Sequence, residues 1–456
     1  MEPEAPKKES VVTKSERRSY PIADIAAKEW KDFALYTVES RAIPNMIDGL
    51  KNVQRFYLYS TIRNSKTEFK KVAAVSGIIS DYGYNHGEAS AADAGKLMAA
   101  EWNNNVVLIE GRGSFGTRLV QASGAARYVY TRLHPNFDRF IKDLDLAPEH
   151  SDPEHEPPAF YLPIIPLVLA NGTKGIATGF ATSILPRSAK GLAKAVQEYI
   201  KTGKIKNHVE IQFPEFSGTI TRDEEGKVFS NGTFERKSKT QVLITEVPYG
   251  YDREDYIAVL DKLEEEDKIV GYDDLCNKTG FRFDVKLKVA TANIWDDAKI
   301  MREFKLSKPF PENLTVIDQD GKLREYNDER KLIADFCDYR LGILDQRIAL
   351  RLKEYTEEVR WLSVKMAFIQ AVLDDKITFK GKKKDEVAAQ IINVVAPKAP
   401  LLEDDTDRLL RLNIMTLTAE QVEQLKKDIA AAKASLEYWK TTTAKDQFLG
   451  DVKELL

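Results

Sequence analysis

The chain has 456 residues, of which 43% are hydrophobic and 30% charged, a composition typical of a globular protein with two to four domains. Its two cysteines, Cys276 and Cys337, show no disulfide or metal-ligand spacing, so we expect a reducing, intracellular location. No signal-peptide pattern occurs in residues 1–20. The most apolar run, 161–170, is short and holds two prolines, which excludes a membrane span there.

The charge is unevenly distributed along the chain. The total is −3, whereas residues 41–142 carry 14 Lys or Arg against 8 Asp or Glu, a local charge of +6 that leaves −9 for the rest. A basic segment in an acidic chain fits a localised phosphate-binding surface. On charge alone, a chance fluctuation explains it equally well.

Four regions follow one another along the chain. The polar composition of residues 1–19 predicts a disordered tail. Residues 20–147 mix helical and strand patterns in one compact region. Residues 148–327 begin with a Pro- and acid-rich connector and continue with short β-prone runs, turn signals and helical patches, which predicts an α+β domain.

The last region, 328–456, carries two helical seams in which apolar residues alternate at spacings of three and four. The first seam comprises Leu352, Tyr355, Val359, Leu362, Met366, Ile369 and Leu373, and the second Val422, Leu425, Ile429, Ala432, Leu436 and Trp439. A capping box, Thr418 to Gln421, opens the second helix. The pattern predicts an antiparallel coiled coil with a small globular tip. Such seams most often serve packing or dimerisation and carry no chemistry.

The first two clusters that could carry chemistry lie in the basic segment. Residues 40–55 bring three cations, Arg41, Lys51 and Arg55, around a turn, a weak signal by itself. Residues 69–101 predict a helix, a glycine-containing turn and a second helix, the outline of a helix-turn-helix DNA reader. In this outline His86 lies at the start of the second helix, where free N–H groups favour a phosphate. A single histidine in a turn is more often incidental.

Two further clusters follow. A β-prone run enters a glycine-rich loop, 111–116, which includes Arg112 and suits close approach of a phosphate or base, but fits a tight hairpin as well. The segment 125–132 places Tyr128 directly after Arg127. A tyrosine hydroxyl has a pKa of about 10, so it attacks a phosphodiester only where cations stabilise the phenolate and the developing charge. Composition alone does not choose among the 18 tyrosines.

Taken in order, these clusters closely resemble the breakage-reunion core of type IIA DNA topoisomerases, that is gyrase A, topoisomerase IV A and the central part of eukaryotic topoisomerase II. The family patterns are S-R-x-[IL]-P-x-x-x-D-G-[LF]-K-P, Y-H-x-H-G or Y-H-H-G-E, G-x-G-x-F-G, A-x-R-Y-x-x-T and N-G-x-x-G-I-A-x-G-x-A-T. They are matched at 40–51, 84–88, 111–116, 125–131 and 171–182. Departures from the patterns are Asn52, Asn85 and the less basic run 54–56, which put the backbone contacts there in doubt.

The resemblance implies a role for each matching residue. Tyr128 is the nucleophile and Arg127 its neighbouring cation, with Arg41 and His86 as the other catalytic residues. Lys51, Arg55 and Arg112 are implied to bind DNA, and Ile176 to wedge between base pairs and bend the duplex.

The resemblance also implies a helix-rich α+β fold. A winged-helix DNA-gate domain, 20–147, is expected to bear the nucleophile, and a tower domain, 148–327, the bending isoleucine. The region 328–456 is expected to form the coiled coil and a C-terminal dimerisation gate. We therefore expect a homodimer that contacts itself at the DNA gate and at this C-gate.

Some domains and sites that the family contains are not recognisable in the sequence. We find no ATP-binding domain, no acidic cluster of the kind that holds Mg²⁺, and no room after Trp439 for a DNA-wrapping domain. In this the chain resembles the medium subunit of the multisubunit topoisomerases of T4-like phages. ATP and Mg²⁺ are then expected on a separate large subunit. The location is the host cytoplasm if the protein is phage-encoded.

The implied activity is transesterification by Tyr128, which makes a 5′-phosphotyrosine double-strand break, allows duplex passage, and reseals, so that DNA is relaxed and decatenated with ATP. Two alternatives remain open. An architectural DNA-binding protein would form no covalent adduct. A tyrosine recombinase would carry its nucleophile near the C-terminus, whereas Tyr128 lies in the first third.

Overall fold

The computed structural model describes residue 22 and residues 26–413 and 417–456; the tail expected at 1–19 lies outside this part. The expected helix-rich mixture of helix and sheet is confirmed. The helices are α1 Lys31–Thr37, α2 Asn52–Asn64, α3 Val72–Gly77, α4 Glu88–Met98, α5 Phe137–Phe140, α6 Leu167–Asn171, α7 Ala189–Thr202, α8 Arg253–Glu265, α9 Val289–Ile294, α10 Asp297–Glu303, α11 Glu329–Leu373, α12 Lys384–Val395, α13 Asp405–Leu410, α14 Ala419–Thr441 and α15 Ala444–Lys453.

The strands form small antiparallel sheets. They are β1 Lys70–Lys71, β2 Ile109–Arg112, β3 Tyr130–Leu133, β4 Thr173–Ile176, β5 Ala181–Ile184, β6 Thr219–Arg222, β7 Val228–Asn231, β8 Thr233–Ser238, β9 Gln241–Glu246, β10 Ile269–Asp274, β11 Phe283–Leu287, β12 Ser307–Phe310, β13 Leu314–Ile317 and β14 Leu323–Tyr326. The sheet orders are β1-β3-β2, β10-β11-β9-β8, β12-β7-β6, β13-β14 and β4-β5.

Helices α2, α3 and α4 pack beside the sheet β1-β3-β2. The predicted helix-turn-helix is α3 and α4, joined by a 3₁₀ turn, Ile79–Tyr82, and by Gly83 at positive φ. Gly95 in α4 lets α2 approach, because a Cβ there would lie 2.2 Å from the Tyr57 ring. The Tyr57 hydroxyl in turn hydrogen-bonds to Thr131 on β3 at 2.7 Å. The helices and the sheet are thereby locked into one unit.

The largest hydrophobic core does not stop at the boundary expected near residue 148. It includes Leu162 and Leu192 from the next region, Phe336 from α11 and Phe448 from α15, together with the helix-turn-helix residues. A second core fills the space between the sheet β10-β11-β9-β8 and α8, with Tyr256 and Phe283 at its centre. The division at 20–147, 148–327 and 328–456 stays a prediction about folding units.

The two predicted seams form an antiparallel arm. Helix α11 packs along α14, and α12 and α13 make a tip with its own core. Thr418 caps α14 by accepting from the Gln421 N–H. The apolar stripe of α11 turns near the tip, where Val364 and Phe368 are buried while the predicted seam residue Leu373 is 41% exposed.

An ionic hub of Asp143, Arg340, Arg347 and Asp451 lies at the base of the arm. Asp143 accepts from Arg340 at 2.6 Å and from Arg347 at 2.6 and 2.7 Å, and Arg347 also donates to Asp451 at 2.8 Å. Burial alone would raise the pKa of Asp143, but the two arginines outweigh it and hold that pKa below its usual range. The hub joins the region 20–147, called the gate region below, to α11 and α15.

Across the described residues, no helix is both long and apolar enough to cross a membrane.

Candidate active site and DNA-binding surface

Tyr128 lies in a tight turn directly before β3. Its N–H donates to the carbonyl of Ala125 at 2.8 Å, and the next residue, Val129, is buried and bonded through its carbonyl to Val72. Because Val129 points inward, the Tyr128 side chain projects outward and is 68% exposed. The Arg127 guanidinium lies 4.8 Å from the centroid of the Tyr128 ring. The predicted nucleophile and its cation are thus adjacent and accessible.

The edge of the same sheet presents Arg112. Its guanidinium lies 5.3 Å from the Phe69 ring and 5.2 Å from the Tyr130 ring, so two aromatic side chains orient it. Its neighbour Arg132 stacks on Phe69 but is paired with Glu110 at 2.7 Å. Arg112 keeps its charge available to a ligand, because no carboxylate in the described part of the chain pairs with it.

A second polar cluster brings together Arg41 and His86, as predicted, and adds Tyr36. Arg41 lies in a π-helical turn, Val38–Ala42, after α1, and its Nη2 is 3.3 Å from His86 Nδ1. The Tyr36 hydroxyl contacts His86 Nε2. Burial, followed by the charges of Arg41 and His155, lowers the pKa of His86. His86 is therefore neutral near pH 7.

The chemistry of these groups defines the tautomer of His86. A guanidinium donates hydrogen bonds and never accepts them, so Nδ1 must be the unprotonated nitrogen. The ring proton then resides on Nε2 and is donated to the Tyr36 oxygen, which leaves the phenol proton of Tyr36 free for an external acceptor. Sequence motifs contain no signal for Tyr36, because its contact with His86 spans fifty residues.

Ile176 ends β4 at the tip of the hairpin β4-β5 and is 88% exposed. A large apolar side chain in that position contributes nothing to the core and is available to a ligand. Gly175 places the hairpin against the Arg41 segment, because a Cβ there would lie 1.9 Å from the Ala42 carbonyl oxygen. Lys51 Nζ donates to the Lys174 carbonyl at 2.7 Å and so joins the same surface.

Arg55 does not belong to this surface. It is 7% exposed, and it donates to both carboxylate oxygens of Asp48, at 2.9 and 3.1 Å, and to the Leu50 carbonyl. Asp48 also accepts from the Leu50 and Tyr161 N–H groups. A buried, fully engaged arginine supports the fold of this turn, so we remove Arg55 from the expected DNA contacts.

The two candidate catalytic pairs remain apart in one chain. Within the described ranges, no hydrogen bond, ion pair or ring contact joins Arg41 and His86 to Arg127 and Tyr128. Each pair lies on the exposed surface of the gate region.

Three acidic groups in the described part of the chain have a carboxylate that is engaged by neighbouring protein groups, whereas Mg²⁺ is bound through free carboxylate oxygens. The candidate groups are Asp143 with Asp145, Asp318 with Asp320, and His208 with Asp328 and Glu329. Asp143 is held by two arginines of α11, and Asp318 by Arg324 and by N–H groups of its hairpin. Glu329 is engaged by His208, the Val209 N–H and Arg187.

Comparisons with known proteins identify the relatives of this chain. The family model that describes the A subunits of DNA gyrase and topoisomerase IV matches residues 41–454. The DNA topoisomerase medium subunit of Enterobacteria phage T4 is 41% identical over 95% of this chain and 98% of its own length.

Similarity extends to eukaryotic proteins. DNA topoisomerase 2 of Plasmodium falciparum is 26% identical over 95% of this chain, which spans 34% of that relative. The crystal structure of the DNA-binding, cleavage and re-ligation domain of the Plasmodium falciparum enzyme superposes with a TM-score of 0.86 at 25% identity, over 95% of this chain and 63% of that one.

The match of almost the whole chain to a topoisomerase subunit and to the DNA-binding, cleavage and re-ligation domain of a topoisomerase II defines a protein of the type II DNA topoisomerase class. The chain belongs to the family of DNA gyrase and topoisomerase IV A subunits. Membership of this class implies the use of ATP and Mg²⁺.

Proposed function

We propose that the chain is the DNA breakage-reunion subunit of a multisubunit type II topoisomerase and that Tyr128 is its nucleophile. The observation that carries the proposal is the exposed Tyr128 phenol beneath the Arg127 guanidinium, in a motif whose family performs this chemistry. The helix-turn-helix and the exposed cations around it support duplex DNA as the substrate.

The reaction is a balanced exchange of phosphodiester bonds. The Tyr128 phenol loses its proton, and its oxygen bonds to phosphorus. The bond from phosphorus to the 3′ oxygen breaks, and that oxygen takes up a proton. Arg127 stabilises the phenolate and the charge on the phosphate. Resealing is the reverse reaction and needs no ATP, because the phosphotyrosine keeps the bond energy.

Arg41 and His86 bind the DNA backbone near the reacting phosphate. Arg41 supplies a permanent positive charge, and His86 is kept neutral and oriented so that the phenol proton of Tyr36 can be donated to a DNA oxygen. Lys51 and Arg112 hold neighbouring phosphates, and Ile176 enters the base stack and bends the duplex.

Two copies are needed, because each copy cuts one strand of a duplex. We propose that they contact each other at the DNA gate and at the tip of the arm, where Phe379, Ile392 and Leu402 are exposed. The engaged acidic groups support binding of Mg²⁺ and ATP by a separate large subunit, in line with the name of the phage T4 relative. A phage protein of this kind acts in the host cytoplasm.

The test is to mix the purified chain with a purified large subunit, duplex DNA and Mg²⁺, stop the reaction with detergent, and measure DNA covalently linked to protein. Tyr128→Phe should abolish the adduct and keep DNA binding, because it removes only the hydroxyl. Tyr130→Phe is the matched control and should keep cleavage, because the Tyr130 ring serves Arg112 through its face.

Two results would contradict the proposal. A cleaving Tyr128→Phe together with an inactive Tyr130→Phe would move the nucleophile to the other tyrosine. Adduct formation at full rate without the large subunit would place a metal site in this chain.

A further inference from the structure

A groove of about 650 Å³ separates α4 from the base of the hairpin β4-β5. Lys51 and Lys174 line it, and its far wall is aromatic, made by Phe213, Tyr249 and Phe310. Lys308, on β12, lies beside that wall. The groove therefore adjoins both the helix-turn-helix and the strand that carries Ile176.

The two carboxylates that line the groove, Asp48 and Asp93, are paired with Arg55 and Lys96 and not with these three lysines. Lys174 Nζ lies 5.3 Å and Lys308 Nζ 5.9 Å from the centroid of the same Phe310 ring, and Lys308 Nζ is 4.4 Å from the Tyr251 ring. Their direct oxygen partners are carbonyls, Lys174 O for Lys51 and Gly250 O for Lys308. None of the three is in an ion pair anywhere in the described residues.

This grouping of cations is unfavourable without an anion. Burial, followed by the charge of Lys174, lowers the pKa of Lys308, and the charge of Asp255 only partly opposes this effect. Burial also lowers the pKa of Lys51. Ammonium groups that are partly desolvated, close together and not neutralised gain stability when phosphates enter the groove.

The hairpin β4-β5 connects the groove to the point where Ile176 is proposed to bend the duplex, because Lys174 and Ile176 lie on the same strand. Lys174 and Ile176 are two residues apart on β4, and both are on its exposed face. Two residues of a strand span about 7 Å, which is close to the separation of neighbouring phosphates along one DNA strand. When Ile176 enters the stack, Lys174 is within one phosphate of the insertion.

We propose that Lys174 and Lys308, together with Lys51, form a phosphate-binding groove that holds the duplex backbone beside the insertion point of Ile176 and so maintains the bend. The proposal rests on the function proposed above, because it takes duplex DNA as the ligand. It adds Lys174 and Lys308 to the binding surface and assigns the groove a role in bending.

The test uses binding alone, so it does not depend on cleavage by Tyr128. Affinity for a duplex that is fluorescently labelled at both ends is measured over a range of salt concentrations, together with energy transfer between the ends. Lys174→Gln combined with Lys308→Gln should lower the slope of log affinity against log salt by about 1.8, at about 0.9 per lost phosphate contact. The bend angle should fall as well.

Lys427→Gln combined with Lys433→Gln is the matched control, because it removes two exposed lysines from α14 of the arm. It should change neither the slope nor the bend. An unchanged slope in the groove variant, or an equal loss in both variants, overturns the proposal.

Phosphate ethylation interference with the wild-type chain provides a second measurement that needs no variant to fold. Ethylation of phosphates next to the bend should block binding. Interference restricted to phosphates next to the cleavage site also overturns the proposal, while leaving the function of Tyr128 intact.

Discussion

The Arg41 guanidinium defines the tautomer of His86, because it donates hydrogen bonds and has no acceptor. Tyr36 contacts the other ring nitrogen of this histidine. Arg41 donates to Nδ1, so a second proton on that nitrogen would break the contact and place two positive charges side by side. Partial burial, followed by the charges of Arg41 and His155, lowers the pKa of His86 below the 6.5 of an unperturbed histidine.

We predict that NMR titration of the isolated chain gives His86 a pKa below 6.5. Arg41→Gln should raise that pKa, because it removes a neighbouring positive charge. Bound duplex DNA should also raise it, because a phosphate favours the protonated ring. His150 is the internal control and should not respond to Arg41→Gln, because Arg41 is not among the groups that shift its pKa. A pKa of His86 that is unaffected by DNA would remove this residue from the binding surface.

Sequence motifs identified the residue types of the candidate site, whereas the structure shows which groups each of these residues contacts. The sequence places Tyr128 after Arg127, and both are exposed, as a nucleophile requires. A motif also predicted that Arg55 binds DNA, but Asp48, seven residues away, holds it in a buried ion pair. A single sequence shows a cation at that position but not that a carboxylate neutralises it.

Among the secondary-structure elements, the hairpin β4-β5 has two faces with different environments. Its inward residues pack on the body, whereas Lys174 and Ile176 share the exposed face. A wedge offsets an unstacking cost of a few kcal/mol, while phosphate contacts supply most of the non-specific affinity.

We therefore predict that Ile176→Ala reduces DNA bending and cleavage more than it reduces binding at low salt. Energy transfer between duplex ends reports the bend, and the covalent adduct reports cleavage. Val270→Ala is the control, since Val270 is also an exposed aliphatic residue but lies on β10, outside the hairpin. Equal bend angles for wild type and Ile176→Ala would exclude a wedge.

Periodicity predicted the arm and a small globular tip, but not how the tip packs on α11. The alternation of three and four residues correctly pairs α11 with α14, since Val422, Leu425 and Ile429 are buried. It fails near Leu373, because α12 and α13 cover a different face of α11 there. Those helices come from the 48 residues between the seams, 374–421, whose sequence shows no repeating apolar pattern.

In the whole molecule, the ionic hub joins parts that are far apart in sequence. Asp143 belongs to the gate region, Arg340 and Arg347 to α11, and Asp451 to the returning helix α15. No pattern in the sequence links these positions, because long stretches of chain separate Asp143 and Asp451 from the two arginines. Removing one partner of a buried pair leaves the other charge uncompensated.

We predict that Asp143→Asn destabilises the base of the arm by about 3–5 kcal/mol. Hydrogen exchange should accelerate in α15 and at the start of α11. Asp145→Asn is the control, because Asp145 is 45% exposed and meets Arg351 only at 3.4 Å, so its effect should stay below about 1 kcal/mol. Equal exchange rates in the two variants would show that the hub contributes nothing specific.

The return of α15 to the body has a mechanical consequence. Both ends of the arm, α11 and the α14–α15 segment, are attached to the body at its base. A rotation at the base therefore moves the whole arm. From Arg347 to Leu373 it extends about 39 Å at 1.5 Å per residue. A tilt of about 10° at the base displaces the far end by about 7 Å, more than one helical turn. Small repacking among the four charged side chains of the hub would therefore move the tip of the arm by more than the length of a helical turn.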